Sequence, residues 1–217
     1  MTAVGWRQVT MPSRRRLRLV TVCAAITALS SSLAAVGPTT PAAMLTRGDL
    51  QWLGRVTFGI DTVTAGRYRQ LGRERFLDEQ LKASAADAPE LVRALATLPA
   101  TQKSAEQLSK MVRTEQQRIN TLPNDDEKQK ARMAMNQAGN QATYELTKRH
   151  LLRAVRSSAQ LREVMTWFWM NHFSVFSGKA NVRWTVGEYE ENVRTRAFGR
   201  FSDLVMATDL SPAMLEY

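Results

Sequence analysis

The chain has few side chains suited to catalysis or metal binding. There are two histidines, His150 and His172, and one cysteine, Cys23, in 217 residues. His172 follows Asn171 in the aromatic run Met165 to Lys179, MTWFWMNHFSVFSGK. A histidine in a half-buried aromatic setting is suited to proton transfer near neutral pH. With Asn171 beside it and Glu190 or Asp203 as an orienting carboxylate, His172 makes the best acid–base candidate in the sequence. The competing reading is structural: Asn171 and His172 hydrogen-bond backbone groups at the end of a buried helix, where an unpaired polar group costs about 1–3 kcal/mol. The structural reading leads.

Other chemistries fare worse. Ser174 and Ser177 are close in sequence, but no Gly-x-Ser-x-Gly turn presents either as a nucleophile. FSGKANVR lacks the glycines of a phosphate cradle. A metal centre needs at least three converging ligands. His150 has no motif around it, and it sits beside Lys148 and Arg149 where a helix end would favour positive charge. No metal site is expected and no residue is assigned to a cofactor, whose identity the sequence leaves open. Trp167, Trp169 and Trp184 could stack on sugars, but their helical spacing among Leu, Val and Met suits core positions.

The elements that would position these residues read as helices throughout, an all-α fold; no stretch alternates long enough to argue for a sheet. Thr46 and Asp49 form a capping pair before RGDLQWLGRVTF. A short helix from Asp61 or Thr62 ends at Gly72, and RERFLDEQLKAS makes another. Pro89 opens a fourth at the first-turn position proline tolerates. Residues of about 101–155 read as a long helical hairpin broken at Pro123-Asn124-Asp125, solvated apart from one apolar seam. From Gln160, Leu161, Val164, Met165, Phe168, Trp169 and His172 share one broad face, and the helix is expected to be the buried centre of the fold. Trp184 to Arg196 follows, with Tyr189 and Val193 inward. RFSDLVMATDL and a Ser211-Pro212 start complete the chain.

Residues 1–43 have a different character. They hold Arg7, Arg14, Arg15, Arg16 and Arg18 and no acid, which is half of the net charge of +10. SRRRLRL followed by the apolar, small-residue stretch Leu19 to Val36 reads as an export signal. Ser13-Arg14-Arg15-Arg16-Leu17 is similar to a twin-arginine signal. Cys23 lies in this stretch, so the processed chain, residues 44–217, has no thiol. The remaining charge of +5 is spread through mixed-sign helices, which argues against nucleic acid as a partner. Contact with a membrane is expected only through the signal segment before its removal, because Leu19 to Val36 is at the short limit for a spanning helix.

Three segments, LREVMTWFWMNHF, YEENVRTRAFGRFSDLVMA and SPAMLEY, resemble a bacterial family called domain of unknown function 1800. LGRVTFG near residue 53 is similar to the opening segment of that family. The resemblance runs from about Leu45 to Tyr217. It implies an exported, mostly helical protein in an envelope or extracellular assembly. It also implies a companion exported protein with a sulfatase-like fold, and no assigned reaction. Two positions depart from the family pattern: Met170 and Arg196 stand where histidines are common. A further Asn-Glu-Asn…Glu-Leu-His segment of the family lies beyond Tyr217, so the chain is expected to be the N-terminal part of a longer protein. Two other readings remain: a hydrolase-like enzyme around Asn171 and His172, and a truncated remnant without function.

Overall fold

A computed structural model describes residues 44–179 and 181–217. The export segment, with Cys23 and the arginine run, lies outside the described residues. All regular structure among the described residues is helical, as the all-α expectation requires. The elements are α1 (Arg47–Val56), α2 (Thr62–Lys82), α3 (Pro89–Leu95), a 3-10 turn (Pro99–Gln102), α4 (Ala105–Thr121), α5 (Asp125–Arg156), α6 (Gln160–Phe173), α7 (Val182–Arg196), α8 (Phe201–Asp209) and α9 (Pro212–Glu216). No described helix is long and apolar enough to cross a membrane.

The helix boundaries follow local chemistry. Thr46 and Asp49 close a capping box, with the Thr46 hydroxyl accepting from the Asp49 amide at 3.1 Å and Asp49 accepting from the Thr46 amide at 3.0 Å. Two otherwise orphaned amide groups are thereby satisfied. Ser104 and Gln107 repeat the arrangement at α4, and Asn124 caps α5 by accepting from the Glu127 amide at 2.8 Å. Ser211 caps α9 through the Met214 amide. The expected stop at Gly72 is present as a break inside α2, where the backbone turns to φ 74° and ψ 172°. A left-handed φ is cheap for glycine and costs other residues about 1–2 kcal/mol.

The hairpin expected over about 101–155 is α4 and α5, joined at Leu122 to Asn124. Most of α4 and the first half of α5 are solvated, with Leu108 and Ile119 buried along one side. From Gly139 onward α5 buries Ala142, Glu145, Leu146, Arg149, Arg153 and Ala154. Trp184 of α7 packs with Leu108 of α4 and Ala142 of α5, so the base of the hairpin belongs to the core.

The centre of the fold is α7, not α6. Helix α7 packs against α4, α5, α6, α8 and α9. Its residues Val182, Val186, Tyr189 and Val193 join Leu146, Leu204 and Ala213 in the largest apolar cluster. Close approach to α5 depends on Gly187, where a Cβ atom would lie 2.5 Å from a methyl carbon of Leu146.

Helix α6 meets this core with part of its apolar side, since Trp169, Met170 and Phe173 pack against the cluster, and with a polar strip beside it. Leu161, Glu163 and Thr166 are buried, while Phe168 and Trp167 are about half exposed and His172 and Asn171 are exposed. The reason is an ion pair. Arg194 of α7 is 1% exposed and Glu163 is 1% exposed, and a buried charge must meet its partner. The rotation that brings Glu163 to Arg194 turns the Phe168 and His172 side outward.

Candidate functional site

Four carboxylates and three arginines hold α5, α6, α7 and the segment before α3 together. Arg194 donates from Nε to both Glu163 oxygens at 3.1 Å, from Nη2 to Glu163 at 2.8 Å and to Asp87 at 3.2 Å, and from Nη1 to the Ala85 carbonyl at 2.7 Å. Arg153 donates to Asp87 at 2.8 Å and to Glu191 at 2.7 Å. Burial works against the Arg153 charge, yet Asp87 and Glu191 together raise its pKa above the usual arginine value.

Arg149 completes the lattice at its other end. It donates to Glu190 Oε2 from Nη2 at 2.5 Å and from Nε at 3.2 Å, and to the Gly187 carbonyl at 2.7 Å. The second oxygen, Oε1, lies 3.0 Å from Nδ1 of His150. Burial pushes the Glu190 carboxyl pKa up; the Arg149 charge and the bonds from His150 and Arg149 outweigh it and hold the group at about 2. Glu190 is therefore an ionised acceptor, which makes Nδ1 of His150 the N–H donor. In the neutral ring the lone pair is on Nε2. Nε2 has no hydrogen-bond partner among the described residues.

The His150 ring lies between Trp167, 5.1 Å away and tilted, and the edge of Phe58 at 6.2 Å. Beside it is a half-open cleft of about 200 Å³ that His150 lines together with Thr143, Thr147, Met170, Val175 and Ser177. A larger cleft of about 730 Å³ lies between α2 and the end of α5. Its main polar side chains are engaged with one another or with backbone: Arg67 pairs with Glu79, and Gln80 bonds the Ser158 carbonyl and the Leu161 amide. The smaller cleft has the better chemistry because it is lined by His150, whose Nε2 carries a lone pair in the neutral ring.

The residues singled out in the sequence are not brought together. Asn171 donates back to the Trp167 carbonyl at 2.7 Å. His172 has aromatic neighbours, Phe168 stacked at 6.0 Å, Phe173 at 5.2 Å and Trp169 at 5.6 Å. Asp203 is exposed in the first turn of α8. Glu190 is occupied by His150. The orienting carboxylate thus exists, but it orients the other histidine. His150 lies six residues before the end of α5, so the helix-end reading of it does not hold. No short motif marks its pairing; the signal in the sequence was a glutamate and a histidine on helices that only the fold makes neighbours.

A second feature is an aromatic surface on α6 and α8. Trp169 contacts Phe168 at 4.9 Å, Phe173 at 6.0 Å and Phe201 at 5.8 Å. Phe168 is 50% exposed and Phe201 58%. Among the described residues, no group of three or more His, Cys, Asp or Glu side chains is placed to hold a metal ion.

A family model described as "Protein of unknown function (DUF1800)" matches residues 51–217. No curated protein and no solved structure matches the chain.

Proposed function

Because the chain belongs to the DUF1800 family, we propose that it is an exported helical protein acting as part of a cell-envelope or extracellular assembly. It docks a companion exported protein, of the sulfatase-like fold that the family resemblance implies, through the aromatic face of α6 and α8. The observation that carries this reading is the exposure of Phe168, Phe201 and their neighbours on one connected aromatic surface. Large exposed aromatic groups in contact with one another mark interaction sites more often than they occur on isolated monomers, and aromatic side chains dominate the energetics of such sites. His172 belongs to this surface as a ring among rings. Export rests on the arginine-rich start and the apolar stretch Leu19 to Val36.

Co-expression with the companion tests the reading. The two proteins should co-elute on size exclusion. Phe168→Asp and Phe201→Asp should abolish co-elution while the helical circular dichroism spectrum stays unchanged. A wild-type pair that never co-elutes, or folded variants that still do, would count against it. N-terminal sequencing of protein recovered outside the cytoplasm should begin after the Leu19 to Val36 stretch. An intact Met1 would contradict export with cleavage.

A further inference from the structure

The cleft beside His150 has an unusual polar inventory. Thr143 donates its hydroxyl proton to the Gly139 carbonyl at 3.1 Å, and Thr147 donates to the Thr143 carbonyl at 2.9 Å. Both hydroxyl donors are engaged within α5, so both threonines turn only acceptor lone pairs outward. In its neutral form His150 adds a third acceptor, Nε2, because the Glu190 carboxylate beside Nδ1 holds the ring proton there. The rest of the lining is largely apolar, with Met170, Val175 and the Trp167 ring. Apolar walls with a few convergent polar groups are the usual form of a small-molecule site.

Size and charge narrow the ligand. An apolar cavity of about 150 Å³ takes up benzene, so the cleft of about 200 Å³ suits one six-membered ring with a small substituent. Arg149 and Glu190 neutralise each other at its floor, so no net charge calls for an ionic ligand. With these acceptor lone pairs and the hydroxyl of Ser177, the lining favours a ligand hydroxyl, which can both donate and accept.

We propose that this cleft binds a compact, mostly apolar ligand that presents one hydroxyl group to Nε2 of His150, with its ring against Trp167. The site is distinct from the docking face, since Trp167 and Phe168 point to different sides of α6.

Phenol and anisole test the proposal, because they share a ring and only phenol can donate. With two histidines in the chain, the ring nitrogens can be followed individually by ¹⁵N correlation spectroscopy, and a His172→Asn variant assigns them. Phenol should saturate, shift Nε2 of His150 and leave its Nδ1 bond in place. Phenol should bind about tenfold tighter than anisole, the worth of one hydrogen bond in a dry cleft. In His150→Gln that preference should fall while anisole binding is kept. Equal affinity for phenol and anisole in the wild-type protein overturns the proposal. So does a shift confined to His172, or no saturation up to the solubility limit. The wild-type comparison decides even where the variant does not fold.

Discussion

Replacing Glu190 with glutamine removes one negative charge from the floor of the His150 cleft, and the size of the effect follows from the structure. Folding lowers the Glu190 pKa from an ordinary 4.5 to about 2. A depressed carboxylate pKa stabilises the folded state above the unfolded value, and that stability is lost as pH falls through the folded one. At 1.36 kcal/mol per unit, the difference is worth about 3 kcal/mol at neutral pH. An independent route gives the same scale, because leaving Arg149 buried without its partner costs about 3–5 kcal/mol. Urea unfolding of wild type and Glu190→Gln at a series of pH values separates this carboxylate from every other one, since the rest cancel in the difference. The wild-type advantage should be about 3 kcal/mol at pH 7 and hold to about pH 5. By pH 3 about 2 kcal/mol of it should be gone. A gap that does not change between pH 7 and pH 3 would refute the pairing of Glu190 with Arg149 and His150.

Four further expectations follow from the same packing. Arg194→Met strips Glu163 of every donor it has among the described residues and should cost about 3–5 kcal/mol in chemical denaturation, with much of the loss recovered by adding Glu163→Leu. Tyr189 is fully buried and its hydroxyl has no partner among the described residues, and burial pushes its pKa up to about 12; Tyr189→Phe should therefore raise stability by about 1 kcal/mol, seen as a higher urea midpoint. Gly187→Ala should destabilise by about 1–3 kcal/mol, because its methyl group would overlap Leu146 in the core. Phe168→Ser should change monomer stability by no more than about 0.5 kcal/mol, as an exposed side chain does; a large loss of thermal stability would mean that the aromatic face is part of the core.

Much of the fold was legible because helices announce their ends locally. Thr46 with Asp49, Asn124, Ser211 with Pro212, and Gly72 each mark a boundary through chemistry contained in a few residues. The orientation of α6 was not legible. A count of apolar spacing turns Phe168 and His172 inward together with Trp169, whereas only Trp169 and Phe173 of these rings pack on the core. Glu163 shifts the buried face because its partner, Arg194, comes from a helix 31 residues away. The same limit hid the His150 pairing, which joins residues 40 apart in sequence. Periodicity reports the local preference of a helix, while buried ion pairs report which distant helix it meets.

The aromatic face and its occupant are the centre of the functional account. A photo-crosslinking phenylalanine analogue at position 168, incorporated in the full chain and illuminated in intact cells, tests that directly. The account predicts a crosslink to the companion exported protein, absent when the same analogue replaces Tyr144, which is exposed on α5, a helix that does not carry the α6 and α8 aromatic surface. Equal labelling from both positions, or no product at 168 with the companion present, would contradict it.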